Sequence, residues 1–120
     1  MVVSVSDLIF RNYLRNRIVN ERVVFMFKIT ENCLEKKNFT EYFSSEAKKG
    51  TEEFNQLIKK FESEPQYIFR MRDHDQEVYY IGYSDDCTRK SGFDPLDMYG
   101  EYYGCIDIQY LNANGEYERL

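Results

Sequence analysis

Gln66-Tyr-Ile-Phe-Arg-Met-Arg72, Asp73-His-Asp-Gln76 and Glu77-Val-Tyr-Tyr-Ile-Gly-Tyr83 follow one another directly, and their reading decides the fold. In the first stretch Tyr67, Phe69 and Met71 fall on one side of a period of two, the spacing of a half-buried strand. The second stretch is four polar residues, a turn. The third is rich in β-branched and aromatic residues and returns as a second strand, so residues 66–83 are predicted to form an antiparallel hairpin.

Working back from this hairpin, Pro65 closes the clearest helix of the chain. Thr51 is its N-cap, Glu52 and Glu53 fill its first turn, and Phe54, Leu57, Ile58 and Phe61 make one apolar stripe. That stripe reads as core. Residues 38–50 open with Asn38-Phe-Thr-Glu-Tyr-Phe43 and end on Gly50, which suggests another helix. Residues 22–30 read as a strand with Val23, Phe25, Phe27 and Ile29 on one face. Val24 and Met26 make much of the other face apolar, so the strand is expected to be covered on both sides. Ser6 and Asp7 begin a helix over about 7–19, with Phe10, Tyr13, Leu14 and Ile18 at three- and four-residue steps.

Working forward, residues 84–101 form a long polar loop, of the kind that often carries function. Residues 102–111 read as a strand, Asn112-Ala-Asn-Gly115 as a turn, and 116–120 as a short last strand. Helices and strands segregate along the chain. The expectation is therefore α+β, with two or three helices packed on a mostly antiparallel sheet of about five strands. The 120 residues are expected to make a single domain, with 1–65 mainly helical around one strand and 66–120 antiparallel β.

Composition narrows the function classes. Apolar residues are 42% and charged residues 31% of the chain, which excludes a disordered tract. Cys33, Cys87 and Cys105 make a sparse, odd set without a CxxC pair, and they are expected to be reduced thiols. The start of the chain has no basic segment followed by an apolar run, and no stretch is long and apolar enough to span a bilayer. A cytoplasmic protein is the expectation.

Charge is divided unevenly. Residues 1–72 hold 13 Lys and Arg against 10 Asp and Glu, a net +3. Residues 73–120 hold 3 against 11, a net −8. Within one domain such an asymmetry bears on partners rather than on fold.

Catalytic chemistry finds little support. The lone His74 lies between Asp73 and Asp75 in a predicted turn, where adjacent residues rarely converge on one ion. Nothing in the sequence pairs it with a cysteine nucleophile, and no phosphate loop, dinucleotide fingerprint or nucleophile elbow is present. Asp85, Asp86, Asp94 and Asp97 do not follow the alternate-residue spacing of an EF-hand. No catalytic residue, metal or cofactor is expected, and the protein is not expected to be an enzyme.

Binding is the stronger reading. Eight of the eleven tyrosines (Tyr79, Tyr80, Tyr83, Tyr99, Tyr102, Tyr103, Tyr110 and Tyr117) lie in the acidic half. Tyrosine is rigid and amphipathic and is enriched in protein-contact surfaces. Interleaved carboxylates would draw such a surface to the basic channel of a nucleic-acid enzyme. The partner-binding set expected is Tyr83, Asp85, Asp86, Asp94, Asp97, Tyr99, Glu101, Tyr102 and Tyr103. The alternative is direct nucleic-acid binding by the basic helix through Arg11, Arg15, Arg17 and Arg22, although a pI near 4.9 is unlike a phosphate-tracking domain.

Glu77-Val-Tyr-Tyr-Ile-Gly-Tyr-Ser-Asp-Asp86, Phe93-Asp-Pro-Leu-Asp97, Gly104-Cys-Ile-Asp-Ile-Gln-Tyr110 and Asn114-Gly-Glu-Tyr-Glu-Arg-Leu120 together resemble a pattern in small phage and prophage proteins. The usage of Lys, Asn, Glu, Tyr and Phe is also similar to that of AT-rich Gram-positive phages. That class includes anti-CRISPR and antirestriction proteins, which sequester host nucleases. The resemblance implies a non-enzymatic inhibitor, at work in the cytoplasm of an infected host cell. Its implied partner is a host defence nuclease or CRISPR effector.

Overall fold

A computed structural model of the chain describes residues 25–120. The helix expected over 7–19, and with it Arg11, Arg15, Arg17 and Arg22, lies outside the described residues.

The elements run β1 (Met26–Asn32), β2 (Lys37–Ser44), α1 (Glu52–Ser63), β3 (Tyr67–Arg72), β4 (Val78–Ser84), β5 (Asp107–Leu111) and β6 (Tyr117–Arg119). The six strands of the described residues form one sheet in the order β2-β1-β4-β3-β5-β6. Every neighbouring pair is antiparallel. The fold is α+β.

The strand count is six rather than about five because residues 38–50 do not make a helix. Lys37–Ser44 is β2, the edge partner of β1. Phe39 and Phe43 pack toward one side of the sheet and Tyr42 toward the other, so the period is two. The side chain of Asn32 makes the turn that precedes β2, its Oδ1 accepting from the N–H groups of Leu34 and Glu35 at 3.1 Å each. Lys36 completes that turn at φ 53°. Short polar side chains that bond the backbone ahead of them are ordinary turn formers.

Residues 102–111 are also not one strand. Tyr102 and Tyr103 belong to a 3-10 turn over Glu101–Tyr103, Gly104 ends it in the left-handed region at φ 98°, and β5 starts only at Asp107. The stretch expected to be loop, 84–101, holds a π-helical turn at Leu96–Gly100, closed by the Glu101 N–H donating to the Leu96 carbonyl. Gly100 packs closely against β3 there. A Cβ at that position would meet the Met71 sulfur at 2.5 Å and the Cys105 Cβ at 3.2 Å, so a side chain there would force Met71 to move.

Hydrophobic clusters form on both sides of the sheet. On one side Phe27, Ile29, Phe69, Met71, Tyr80, Cys105, Ile108 and Tyr110 form the main core. The crossing segment between β4 and β5 covers it with Cys87, Phe93, Leu96 and Tyr99. On the other side α1 sets Phe54 and Phe61 against Met26, with Tyr42, Leu57, Ile58 and Tyr83 around them. The expected stripe of α1 is thus core. Thr51 caps the helix, its Oγ1 accepting from the Phe54 N–H at 3.2 Å, a contact worth about 1 kcal/mol.

Candidate functional site: an exposed tyrosine edge

The crossing segment begins as a self-contained turn. Asp86 is 2% exposed. Its Oδ1 accepts from the Thr88 N–H at 2.8 Å, and its Oδ2 from the Thr88 hydroxyl, the Ser91 N–H and the Ser91 hydroxyl at 2.9 Å each. Ser84 and Asp86 also bond each other, through the Ser84 hydroxyl and the Asp86 backbone. The Tyr110 hydroxyl then donates to the Gly92 carbonyl at 2.8 Å and ties this turn to β5. Asp85 sits at the same end of the sheet, where its Oδ2 accepts from the Met26 N–H at 3.1 Å and its own N–H donates to the Met26 carbonyl.

From Phe93 onward the segment crosses the main core and reaches the far end of β4, roughly 20 Å from Ser84 at strand spacing. There it surfaces. Tyr102 is 85% exposed, Ile106 57%, Tyr103 49% and Met98 41%. These are four of the five large apolar side chains exposed among the described residues. The fifth, Leu34, is in the β1–β2 turn, whose Cys33 N–H donates to the Tyr79 carbonyl at 2.8 Å. Asp97 and Glu101 are exposed within the same segment.

Of the exposed rings, Tyr103 is held from beneath. Tyr103 lies 5.0 Å from Tyr99 and 5.6 Å from Tyr80, centroid to centroid, and Tyr102 lies 5.0 Å from Tyr103 at 80°. Tyr99 stands edge-on to Tyr80 at 4.9 Å and to Phe43 at 5.2 Å, and Phe43 stacks on Phe27 at 4.9 Å. Such edge-to-face pairs are favoured by the ring quadrupoles. A break in the β3–β4 register lets this happen. Met71 pairs with Tyr80 but Arg72 with Val78, so Tyr79 is the extra residue of a bulge, and both Tyr79 and Tyr80 turn onto the main core.

Carboxylates from two parts of the chain surround these rings. Burial pushes the Tyr99 phenol up, and Tyr80, Tyr103 and Glu41 add to the rise. Burial raises Tyr80 as well, with smaller contributions from its neighbours that include Glu35. Both glutamates come from the β1–β2 hairpin. Lys49 closes the far side, its Nζ 3.9 Å from the Phe43 ring centroid and 2.6 Å from Glu41 Oε2.

The structure divides the residues that sequence reasoning grouped together. Asp97, Tyr99, Glu101, Tyr102 and Tyr103 are brought to one edge. Asp85 and Asp86 are at the opposite end of β4 and bond the backbone around them. Tyr83 is on the other side of the sheet, beneath α1, with Lys28 Nζ 5.1 Å from its ring centroid. Asp94 is half-buried between the two ends, its carboxyl pushed up by burial and then by Asp97 and Asp86. Sequence reasoning missed Met98, Ile106, Leu34, Glu35 and Glu41. Met98 lies between two residues it chose, Asp97 and Tyr99, and Ile106 is three residues beyond Tyr103. Leu34, Glu35 and Glu41 become neighbours of the site only once residues 37–44 are read as a strand.

The remaining reactive groups are set by their immediate surroundings. Burial raises the thiols of Cys33 and Cys87, and that of Cys105 to about 12, which keeps all three protonated near neutrality. Asp73 organises its own turn, accepting from the N–H groups of Asp75 and Glu77 at 2.9 Å, and the Glu77 N–H leads the effects that hold its carboxyl low. His74 is exposed beside it, 3.5 Å from Asp75. Among the described residues no three His, Cys, Asp or Glu side chains gather as a metal would need, and no helix is long and apolar enough to cross a membrane. No protein family, characterised protein or solved structure matches this chain, so the tyrosine edge stands on its own geometry.

Proposed function

We propose that this chain is a non-enzymatic inhibitor of phage or mobile-element origin. It docks its tyrosine edge on the basic nucleic-acid channel of a host defence enzyme, most directly a nuclease or CRISPR effector. One observation carries the reading. Tyr102 and Tyr103 are exposed in ring contact with each other, Met98 and Ile106 are exposed a few residues to either side of them in the chain, and the same segment also exposes Asp97 and Glu101. Large exposed apolar side chains clustered amid polar residues mark interaction sites. The surrounding carboxylates choose a basic partner over a nucleic acid. The net −8 of residues 73–120 extends that preference beyond contact distance and speeds encounter at low salt. The resemblance to small phage proteins supplies the class of partner.

The test is a tagged pull-down from a CRISPR-bearing Gram-positive host, with and without nuclease treatment, followed by a cleavage assay on the enzyme recovered. The expected result is a nucleic-acid enzyme captured under both conditions and inhibited by the wild-type chain but not by Tyr102→Ala. Capture that disappears on nuclease treatment overturns the proposal in favour of nucleic-acid binding through Arg11, Arg15, Arg17 and Arg22.

A further inference from the structure

We infer that the tyrosine edge selects arginine over lysine on the partner's surface. The inference rests on the docking reading above and names the chemistry of its central contact. Tyr102 and Tyr103 form an open corner, with ring planes 80° apart and centroids 5.0 Å apart. Among the described residues Tyr102 is the most exposed of the large apolar side chains, at 85%, so its ring has a free face. Glu101 precedes it and is also exposed. A guanidinium is flat, weakly hydrated and ringed by N–H donors in its own plane. It can lie on an aromatic face while its edge bonds a carboxylate. An ammonium is a compact, strongly hydrated point charge and gains less from the same corner.

The molecule already contains this double contact. The Arg70 guanidinium carbon lies 4.2 Å from the centroid of the Tyr117 ring, while Arg70 Nε donates to Gln109 Oε1 at 2.7 Å. The group sits over a tyrosine ring while one of its N–H groups meets an oxygen acceptor. Tyr102 presents an exposed ring, and Glu101, exposed beside it in the chain, supplies an oxygen acceptor for an arginine from outside. The acidic character of this half of the chain makes a basic occupant the complementary one.

The test uses the full chain and two probes, nona-arginine and nona-lysine peptides, with affinities read by fluorescence anisotropy at two salt concentrations. Nona-arginine should bind about tenfold more tightly than nona-lysine, Tyr102→Ala should bring the two to the same affinity, and Tyr102→Phe should keep the preference. Equal affinities in the wild type, both weakened by salt, would overturn the arginine inference and leave the docking reading standing. A preference that survives Tyr102→Ala would overturn it as well, by placing the arginine site elsewhere. If neither peptide binds, both readings fail.

Discussion

Residues 84–92 and 97–106 belong to one crossing segment, and both offer carboxylates and hydroxyls to the outside on paper. In the folded chain they do opposite things. Asp86 turns inward and takes four hydrogen bonds from Thr88 and Ser91. Around Tyr102 the side chains turn outward, and Tyr103 rests on the rings of Tyr80 and Tyr99. The difference lies in the local partners. A carboxylate with a Thr two residues on and a Ser five residues on can close a turn around itself. Asp97 and Glu101 have Met98 and Tyr102 after them and remain exposed.

The largest effect should come from Asp86→Ala. Two hydroxyls and two backbone N–H groups would lose their acceptor in a buried turn, at about 3 kcal/mol, read as a lower urea midpoint with unchanged slope. A loss under about 0.5 kcal/mol would break the comparison, because the two regions would then be equally dispensable to the fold.

Tyr110→Phe sharpens it at intermediate size. The ring stays, the hydroxyl's bonds to the Gly92 carbonyl and the Ser84 side chain go, and about 1 kcal/mol should be lost. Asp94 lies between the regions and tests the charge they share. Its folded carboxyl titrates above its unfolded value, so ionisation disfavours the fold as pH rises from about 4 through the folded value. Asp94→Asn should therefore be slightly more stable than wild type at pH 7, by less than about 1 kcal/mol. The two should coincide below about pH 4, in urea melts taken at each pH. An advantage that persists in acid would assign the effect to packing instead.

Tyr102→Ala should give the smallest change in stability, within about 0.5 kcal/mol, because the ring is mostly in water. Its effect belongs to partner binding. A large thermal destabilisation would mean that the edge serves the fold.

Much of the fold was legible. The 66–83 hairpin and α1 carry their periods and their stops in the residues themselves, Thr51 before the helix and Pro65 after it. β2 was not legible, because Asn38–Phe43 followed by Gly50 fits a capped helix as well as a strand. The turn that decides the matter uses Asn32 and a left-handed lysine, without glycine or proline to announce it. The site was half legible. Composition pointed to acidic and tyrosine residues between 83 and 103. It could not tell a carboxylate spent on its own loop, as in Asp86, from one left outside, as in Glu101. Nor could Glu41 be assigned to the site while it was placed on a helix.

The chain of rings from Phe27 through Phe43 and Tyr99 to Tyr103 has a consequence for the entropy of association. A flexible side chain loses about 0.5–1.5 kcal/mol of rotamer freedom when a partner immobilises it. Tyr103 gave up that freedom when the sheet assembled, because Tyr80 and Tyr99 already hold it. A partner arriving at this edge meets a surface whose shape was set during folding, and of the two rings in the corner Tyr102 is the one left to be ordered.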